Sequence, residues 1–386
     1  MKKLFILLFT LFVVNGLNAQ SCLPEGIEFT TQAQIDSFQM NYPGCTEIEG
    51  DVEINGDDIT NLNELIVLTS IEGYLNIEGN DSLISLDGLE NITTVGDYLQ
   101  IGGASYYLGN RMLSNISGLE NLASLGGGLF IERNIALTSL TGLENLTSID
   151  RGTLIISGNN ALTSLTGLEN LTSISGWLMI NSNWTLLNLT GLEKLNSVGG
   201  TLLIDGNHLL INLMGLENLT TVEGYLNLSL NLSLTSLSGL DNIEAGTITG
   251  ISIYGNLVLS TCHIKSICDY LSTQNDSIDI HNNATGCNTK EQVEESCALF
   301  SMNENITNHK FQIYPNPSST QITIELPYTL QKNTSLTISN TNAQQLIAQP
   351  IIKQQTEIDI SSLPTGIYIV KVWNDKGVMV QKVIKQ

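Results

Sequence analysis

The chain has 386 residues, with 38 acidic and 15 basic side chains, and a net charge of −23. The charge is uneven, because residues 20–309 carry 34 acids against six Lys and Arg, a net charge of −28, whereas residues 310–386 carry +3. Phosphate binding needs clustered Lys and Arg, so the acidic part is unsuited to nucleic acid or anionic lipid. We expect neither as a partner.

Residues 1–19 begin with two lysines, continue with an apolar run and end in small and polar residues. This order is typical of a secretory signal peptide, so the mature chain is predicted to start at Gln20. No segment reaches the roughly 20 continuous apolar residues that a membrane span needs. The sequence therefore predicts an exported protein with no transmembrane segment.

Residues 20–44 are predicted to form an N-terminal cap. Thr31 and Gln34 have the spacing of a capping box, and Ile35 and Phe38 follow at helical spacing, which predicts a short helix that covers the first turn of the next region. A second helix is predicted from His263 to Leu271.

A Gly-Leu-Glu motif recurs through the middle of the chain, and its last four intervals are 25, 24, 24 and 24 residues. Its glycines are Gly88, Gly118, Gly142, Gly167, Gly191 and Gly215, and the series closes on Gly239 before Leu240 and Asp241. Repetition at this period indicates units that bury their apolar faces only by stacking on one another. Residues 45–297 are therefore predicted to form a solenoid.

A second pattern, Leu-x-Ile-x-x-Asn, precedes each motif, for example at Leu154, Ile156 and Asn159. Apolar residues at i and i+2 lie on one face of a strand, which predicts a parallel sheet of about ten turns. The apolar residues that follow recur every third position, at neither strand nor helix spacing. We predict an all-β, right-handed parallel β-helix with sheets on more than one side, rather than a horseshoe with a helix in each repeat.

Two repeated residues are predicted to have structural roles. The Asn column lies where the chain leaves each strand, so its side chains are expected to bond the backbone of their own and adjoining turns. The Gly of each motif is expected to permit a sharp corner.

Six cysteines bracket the repeats: Cys22, Cys45, Cys262, Cys268, Cys287 and Cys297. In an exported chain an even number predicts disulfides, here closing the two ends of the solenoid. We expect Cys22 to pair with Cys45 and two bridges among the last four, whose order the spacing leaves open. A zinc site is disfavoured because no Cys-x-x-Cys pair exists.

The segment from Cys45 to Ile54, followed a turn later by residues 71–77, has the form Cys-x-x-Ile-x-Gly-x-Leu-x-Ile. It resembles the receptor L domain found in the insulin and epidermal growth factor receptors. The resemblance covers roughly residues 45–297 and implies a right-handed β-helix with leucine-rich-like turns and disulfide-closed ends. No hormone-binding residue carries over, because the receptor loops have no counterpart here.

Residues 298–310 lose the repeat and are predicted to be a linker. Beyond them, apolar residues alternate with polar ones between turn residues, which predicts a small antiparallel β-sandwich. The alternating sets are Ile322/Ile324/Leu326, Leu336/Ile338, Ile358/Ile360, Ile367/Ile369 and Val378/Val380.

Three blocks of this C-terminal region resemble the sorting domain of the type IX secretion system, at residues 311–386. The first block contains Tyr314, Pro315, Asn316 and Pro317, the second contains Gly366 and Tyr368, and the third is Val383-Ile384-Lys385. The resemblance implies a bacterium of the Bacteroidota, a partnership with the type IX secretion machinery, and delivery to the outer-membrane surface or the medium. An ordinary immunoglobulin-like domain that stays on the mature protein is the alternative.

The carboxylates of the repeated motif form a column whose members are Glu90, Glu120, Glu144, Glu169, Glu193, Glu217 and Asp241. A solvated edge that keeps the protein soluble is one interpretation, and weak Ca²⁺ binding is the other, because stacked carboxylates suit a hard cation. No other cofactor is predicted.

Catalysis has little support in the repeats. Arg133 and Arg151 occupy different repeat positions and should not converge, and His208 takes a variable position that predicts a solvated side chain. Two features indicate recognition instead: an interval of 30 residues with extra material from Ser105 to Arg111, and aromatic residues in the sixth turn. The candidate ligand-binding residues are Tyr106, Tyr107, Arg111, Trp177 and Trp184.

The sequence thus predicts a non-enzymatic recognition or adhesion protein, secreted or held at the cell surface, whose ligand is an unidentified protein or glycan. The alternative is a carbohydrate-active enzyme, either a polysaccharide lyase or a hydrolase, and a third interpretation is a mainly structural spacer.

Overall fold

The computed structural model describes residues 20–273, 277–307, 311–326, 334–340, 344–374 and 377–386. The predicted signal peptide at residues 1–19 lies outside these ranges. The chain divides into two compact units between Lys290 and Glu291.

The first unit is a solenoid whose main element is a parallel sheet of eleven strands, called here the long sheet. Its strands are Ile27–Phe29, Val52–Ile54, Leu75–Ile77, Leu99–Ile101, Leu129–Glu132, Leu154–Ser157, Leu178–Asn181, Leu202–Asp205, Tyr225–Ser229, Gly250–Tyr254 and Ile278–His281. The ten predicted turns are present. The additional strand, Ile27–Phe29, belongs to the region predicted as a cap and pairs in parallel with Val52–Ile54.

Shorter strands form two further parallel sheets on another side of the coil. One contains Ser21–Cys22, Glu47–Ile48, Ser70–Ile71, Thr94–Val95 and Ser124–Leu125, and the other contains Ser148–Ile149, Ser173–Ile174, Ser197–Val198 and Thr221–Val222. The repeats within residues 46–262 contain no α-helix and four single 3₁₀ turns, at Asn63–Leu65, Tyr106–Leu108, Ser117–Leu119 and Ala245–Thr247. These sheets confirm the β-helix over the helical horseshoe.

The leucine and isoleucine positions of the repeat fill one continuous interior. Leu162, Leu165 and Leu168, which follow the three-residue spacing, are all fully buried, as are Leu154 and Ile156 of the adjacent strand. Each turn therefore packs its apolar residues against those of the next, and the stack buries what one turn alone cannot.

The Asn column forms a buried hydrogen-bond ladder, as predicted. Asn183 Oδ1 accepts the backbone N–H of Asn159 at 3.0 Å, and its Nδ2 donates to the carbonyl of Ile156 at 2.9 Å. The same pattern links the ladder members Asn80, Asn110, Asn134, Asn159, Asn183, Asn207, Asn231, Asn256 and Asn283. The ladder satisfies backbone groups that the bends would otherwise leave buried and unpaired.

The glycine of each motif makes the predicted corner. Gly167 has φ of +115°, and a Cβ there would lie 2.1 Å from the carbonyl oxygen of Leu140 in the preceding turn. The Gly167 N–H also donates to Glu169 Oε2 at 3.0 Å, so the carboxylate of the motif closes its own corner.

The N-terminal cap contains two short helices, Gln32–Asp36 and Phe38–Asn41. The Thr31 N–H donates to Gln34 Oε1 at 3.0 Å, in the manner of a capping box, and Ile35 and Phe38 are fully buried. The predicted Cys22–Cys45 disulfide is present, with a Cα–Cα distance of 5.6 Å.

The C-terminal end of the solenoid contains the predicted second helix, at Lys265–Ser272. Cys262 pairs with Cys287, and Cys268 and Cys297 are also disulfide-bonded. A longer helix, Lys290–Thr307, occupies most of the stretch predicted as a linker, residues 298–310, of which 308–310 lie outside the described residues.

The second unit contains two antiparallel sheets. One consists of Gln312–Tyr314, Gln321–Glu325 and Gln355–Asp359, and the other of Gln345–Pro350, Ser335–Asn340, Gly366–Asn374 and Gly377–Lys385. Their inner residues form one apolar core, as a β-sandwich requires.

Three residues from two of the predicted alternating sets face away from the core of this unit. Ile367, Ile369 and Val380 are exposed, whereas Tyr368 and Val370 face the core. The strand is apolar on both faces, so a period of two does not by itself indicate which side is buried.

Candidate ligand-binding surface

The outward side chains of the long sheet distinguish one part of the solenoid from the rest. The middle residue of each three-residue strand core points away from the interior. In chain order these residues are Glu28, Glu53, Asn76, Gln100, Phe130, Ile155, Met179, Leu203, Asn227, Ser252 and Asp279. The column is polar at both ends and apolar in four consecutive turns, so the repeat pattern is broken at one place.

A groove of about 480 Å³, called here the aromatic groove, lies over those apolar turns. Its lining residues are Asp97, Tyr98, Gly127, Gly128, Phe130, Arg151, Gly152, Thr153, Ile155, Trp177 and Met179. Trp177 is 52% exposed, and the Tyr98 and Phe130 rings meet edge to face at 5.9 Å. Aromatic rings around an apolar floor with a few polar groups are typical of small-molecule and glycan sites.

Glycines make room for these rings. A Cβ at Gly128 would lie 2.7 Å from the ring of Phe130, and one at Gly200 would lie 2.3 Å from Trp177 Cδ1. The aromatic side chains can therefore lie flat along the sheet only because the neighbouring positions lack a side chain.

A second recess of about 220 Å³, called here the arginine pocket, lies beyond the C-terminal ends of the same strands. Its lining residues are Arg111, Arg133, Ile135, Ser157, Gly158, Asn160, Asn181, Ser182 and Trp184. Two of the predicted candidates, Arg111 and Trp184, thus meet in one pocket, and Trp177 lines the aromatic groove. As predicted, Arg133 and Arg151 do not converge, because they line different recesses.

The arginines are held by specific contacts. Arg111 Nε lies 3.7 Å from Asp81 Oδ1, and Arg133 Nε donates to the carbonyl of Ala104 at 2.8 Å. The rings of Trp184 and His208 stack with centroids 5.9 Å apart, and His208 is exposed, as predicted.

The inserted material is shorter than predicted. Asn110 is a buried member of the Asn ladder, so Arg111 occupies a regular repeat position directly after it. The excursion begins after Gly102 and returns at Leu108, whose carbonyl accepts the Gly79 N–H at 2.9 Å. The chain therefore leaves and rejoins the coil between the strand and the ladder, where the repeat tolerates extra residues.

Of the two loop tyrosines, Tyr107 lies outside both recesses. Tyr107 is 80% exposed and lines neither of them, and the side chain of Tyr106 lies outside the described residues. Their part in ligand binding stays a prediction.

Two carboxylates beside the inserted loop have unusual surroundings. Burial raises the pKa of Glu78, with the charge of Glu53 adding to the effect and a hydrogen bond from Asn76 opposing it. Burial also raises the pKa of Glu132, against the opposing charge of Arg133. Both residues follow aligned positions of the long sheet, two strands apart, which places their backbones about 10 Å from each other.

The repeated carboxylate column has a structural function in the solenoid. In six of its members the carboxylate accepts the N–H of the motif glycine: Glu90, Glu144, Glu169, Glu193, Glu217 and Asp241. Among the described residues no three His, Cys, Asp or Glu side chains are grouped to hold a metal. The hydrogen bonds to the corner glycines were not predicted, and both the solvated edge and Ca²⁺ binding stay hypotheses.

A second Asn column next to those carboxylates was not predicted from the sequence. Asn145, for example, donates through Nδ2 to the carbonyl of Glu120 in the preceding turn at 2.6 Å. The signal was present in the sequence, because an Asn follows Gly-Leu-Glu or Gly-Leu-Asp in every copy except the one with Lys194.

In the second unit, the predicted sorting residues connect distant parts of the chain. Asn316 donates to the carbonyl of Lys382 and accepts the N–H of Ile384, both at 2.9 Å, so it joins the first and third sequence blocks. The Tyr368 hydroxyl donates to the carbonyl of Pro364 at 2.7 Å, close to Gly366 in the second block.

Pro315 and Pro317 both follow cis peptide bonds in the first block. Beside them the Tyr314 hydroxyl donates to Glu325 at 2.8 Å, and this hydrogen bond raises the pKa of Tyr314.

Comparison with known families agrees with this architecture. The family model of the secretion system C-terminal sorting domain matches residues 312–386. The chain carries a secretion sorting domain. The receptor L domain model matches residues 44–101, which hold the first turns of the solenoid. No curated protein matches the chain.

The sorting domain indicates export by type IX secretion to the cell surface or the exterior. A search of the described residues for a helix long and apolar enough to cross a membrane found none.

Proposed function

We propose that the solenoid is a non-catalytic recognition or adhesion scaffold that binds a glycan outside the cell or at its surface. This proposal is carried by the outward side chains at the middle of the long-sheet strands. They are apolar in four consecutive turns, from Phe130 to Leu203, and polar in the other turns. A solenoid that served only as a spacer would have no reason to change its surface in four adjacent turns.

The chemistry of the aromatic groove favours a sugar. The exposed indole of Trp177 offers a flat apolar surface, and Asp97 and Arg151 place hydrogen-bonding groups at the margin. Pyranose rings present apolar faces and polar edges, which match such a combination.

A glycan array probed with the purified chain tests the proposal. We expect a restricted set of glycans to be bound, with no new reducing ends when the bound glycans are incubated with the protein. An array on which no glycan is retained would contradict glycan recognition and would leave a protein ligand or a spacer.

A carbohydrate-active enzyme is a second candidate, favoured by Glu78 and Glu132. Burial raises the pKa of both, as it does for the general acid of a glycosidase, and the two residues follow aligned positions two strands apart in the long sheet. New reducing ends that appear with the wild-type protein and disappear in Glu132→Gln would support this candidate over binding alone.

A further inference from the structure

We infer that the arginine pocket binds the carboxylate of an acidic sugar, a uronic acid unit of the glycan proposed above. This inference rests on the proposed function and adds to it the charge of the ligand. It is carried by the arginines, by the side-chain amide of Asn181 and by an exposed indole, which meet in one recess.

The concentration of positive charge in the pocket is unusual for this protein. Residues 20–309 contain only six Lys and Arg against 34 acids, and two of the six, Arg111 and Arg133, line this one recess. Guanidinium groups bind carboxylates through paired N–H donors. Although Asp81 lies 3.7 Å from Arg111 Nε, both side chains are more than a third exposed, so their pairing is weak and a ligand carboxylate can compete with it.

Arg133 occupies a backbone position that is glycine in several other turns of the solenoid, so its side chain carries a conformational cost. Arg133 has φ of +57°, and the equivalent position before the ladder residue is Gly79, Gly158, Gly206 or Gly255 in other turns, with φ from +64° to +70°. A side chain in this left-handed region costs about 1 kcal/mol relative to glycine. Non-glycine residues with positive φ at this position also occur at Leu230, Asn282 and Ser182, and Ser182 lines the same pocket.

The remaining walls match a sugar ring. Asn181 lines the recess, and its Oδ1 accepts no hydrogen bond from the part of the chain that the structure describes, so rotation of this amide toward the recess can offer it to a ligand hydroxyl. Trp184 is 53% exposed and stacks with His208 of the following turn, while its own turn and the earlier turns supply the other pocket residues. The ligand that matches these groups has a carboxylate, a hydroxyl donor and a flat apolar face, and a uronic acid has all three.

The two recesses lie along the same strands. Trp177 precedes the strand Leu178–Asn181 and lines the aromatic groove, whereas Asn181 at its end lines the arginine pocket. Four residues of extended chain span about 13 Å. An oligosaccharide that runs parallel to the strands can therefore place one unit in the groove and an acidic unit in the pocket.

Calorimetric titration of the full chain with tetragalacturonate and with its methyl ester, at about 0.15 M salt, tests the inference. We expect the acid to bind about tenfold more tightly than the ester. Arg111→Gln and Arg133→Gly should each remove most of that difference, and Lys194→Gln, which deletes an equal charge elsewhere on the solenoid, should not. Arg133→Gly is expected to retain the fold, because glycine suits this backbone position.

Equal affinities for the acid and the ester, or an acid preference that survives both arginine substitutions, would overturn the pocket assignment and leave glycan recognition standing. Preference for an acidic peptide over the oligouronate would also overturn the assignment. Failure of both oligosaccharides to bind, while other glycans of the array do bind, would overturn this inference alone, whereas an array without any bound glycan contradicts the proposed function itself.

Discussion

At the scale of single residues, the two asparagine columns show that one residue type can have two different energetic roles. Asn183 is fully buried and bonds backbone groups of its own and neighbouring turns. Asn145 lies at the exposed corner and makes one bond to the turn before it. The free energy of each bond depends on whether water can replace it.

Replacing Asn183 by Ala is expected to lower the free energy of unfolding by about 2–5 kcal/mol, because it leaves buried backbone N–H and C=O groups without partners. The matched change Asn145→Ala is expected to cost less than about 1 kcal/mol. Urea unfolding of the two variants measures the difference, and equal losses would contradict the structural role assigned to the ladder.

Glu132 gives a pH-dependent prediction. Its pKa is raised by burial, so the folded state holds the proton more tightly than the unfolded state. The stabilisation is therefore complete below the ordinary pKa of Glu and is lost as the pH rises through the folded-state pKa. Glu132→Gln should raise the melting temperature by a few degrees at about pH 7, and the gain should vanish near about pH 3.

The control for this experiment is Glu120→Gln, at an exposed corner of the same solenoid. It should change the melting temperature little at either pH. A Glu132→Gln variant that is no more stable than wild type at neutral pH would show that burial does not penalise the Glu132 carboxylate.

At the scale of elements, the repeat explains both the success and the limits of prediction from sequence. The strands, the ladder and the corner glycines follow from repeated positions, because every copy supplies the same information about burial and backbone geometry. The strand Ile27–Phe29 was missed, since it stands alone before the first motif. Residue Asn110 was assigned to the insertion because the extra residues displace it from the usual interval.

The binding surface was only partly predictable for a related reason. Trp177 and Trp184 were identified because aromatic residues are uncommon in the repeat, but the groove also uses Phe130 and Met179, which read as ordinary strand residues. Which outward positions meet across turns depends on the register of the sheet. The convergence of Arg111 with Arg133 likewise appears only when the coil is closed.

Deleting residues 103–108 tests how the inserted element relates to the solenoid. The deletion joins Gly102 to Gly109 and restores the interval of 24 residues to the next turn, so the unfolding free energy should change by less than about 1 kcal/mol. Binding at the aromatic groove should be retained, because no described side chain of the deleted segment lines it. Loss of all glycan binding in a folded deletion variant would instead place the ligand on Tyr106 and Tyr107.

At the scale of the whole molecule, the chain combines an acidic solenoid, closed at its ends by disulfides, with a sorting domain for export. Disulfides are suited to the oxidising surroundings that an exported protein meets. The solenoid offers an extended surface on which a few turns can acquire a recognition site while the others keep the stack stable.

The central claim is that the apolar turns over the long sheet are the recognition surface. The most direct test is calorimetric titration of the glycan retained most strongly on the array against wild type, Trp177→Ala and Tyr225→Ala. Tyr225 occupies the same repeat position as Trp177 and is 47% exposed, but it lies outside the groove. We predict that Trp177→Ala weakens binding about 30-fold, as expected for a central aromatic contact, and that Tyr225→Ala changes it less than about twofold. Equal affinity of the Trp177→Ala variant and wild type would contradict the account.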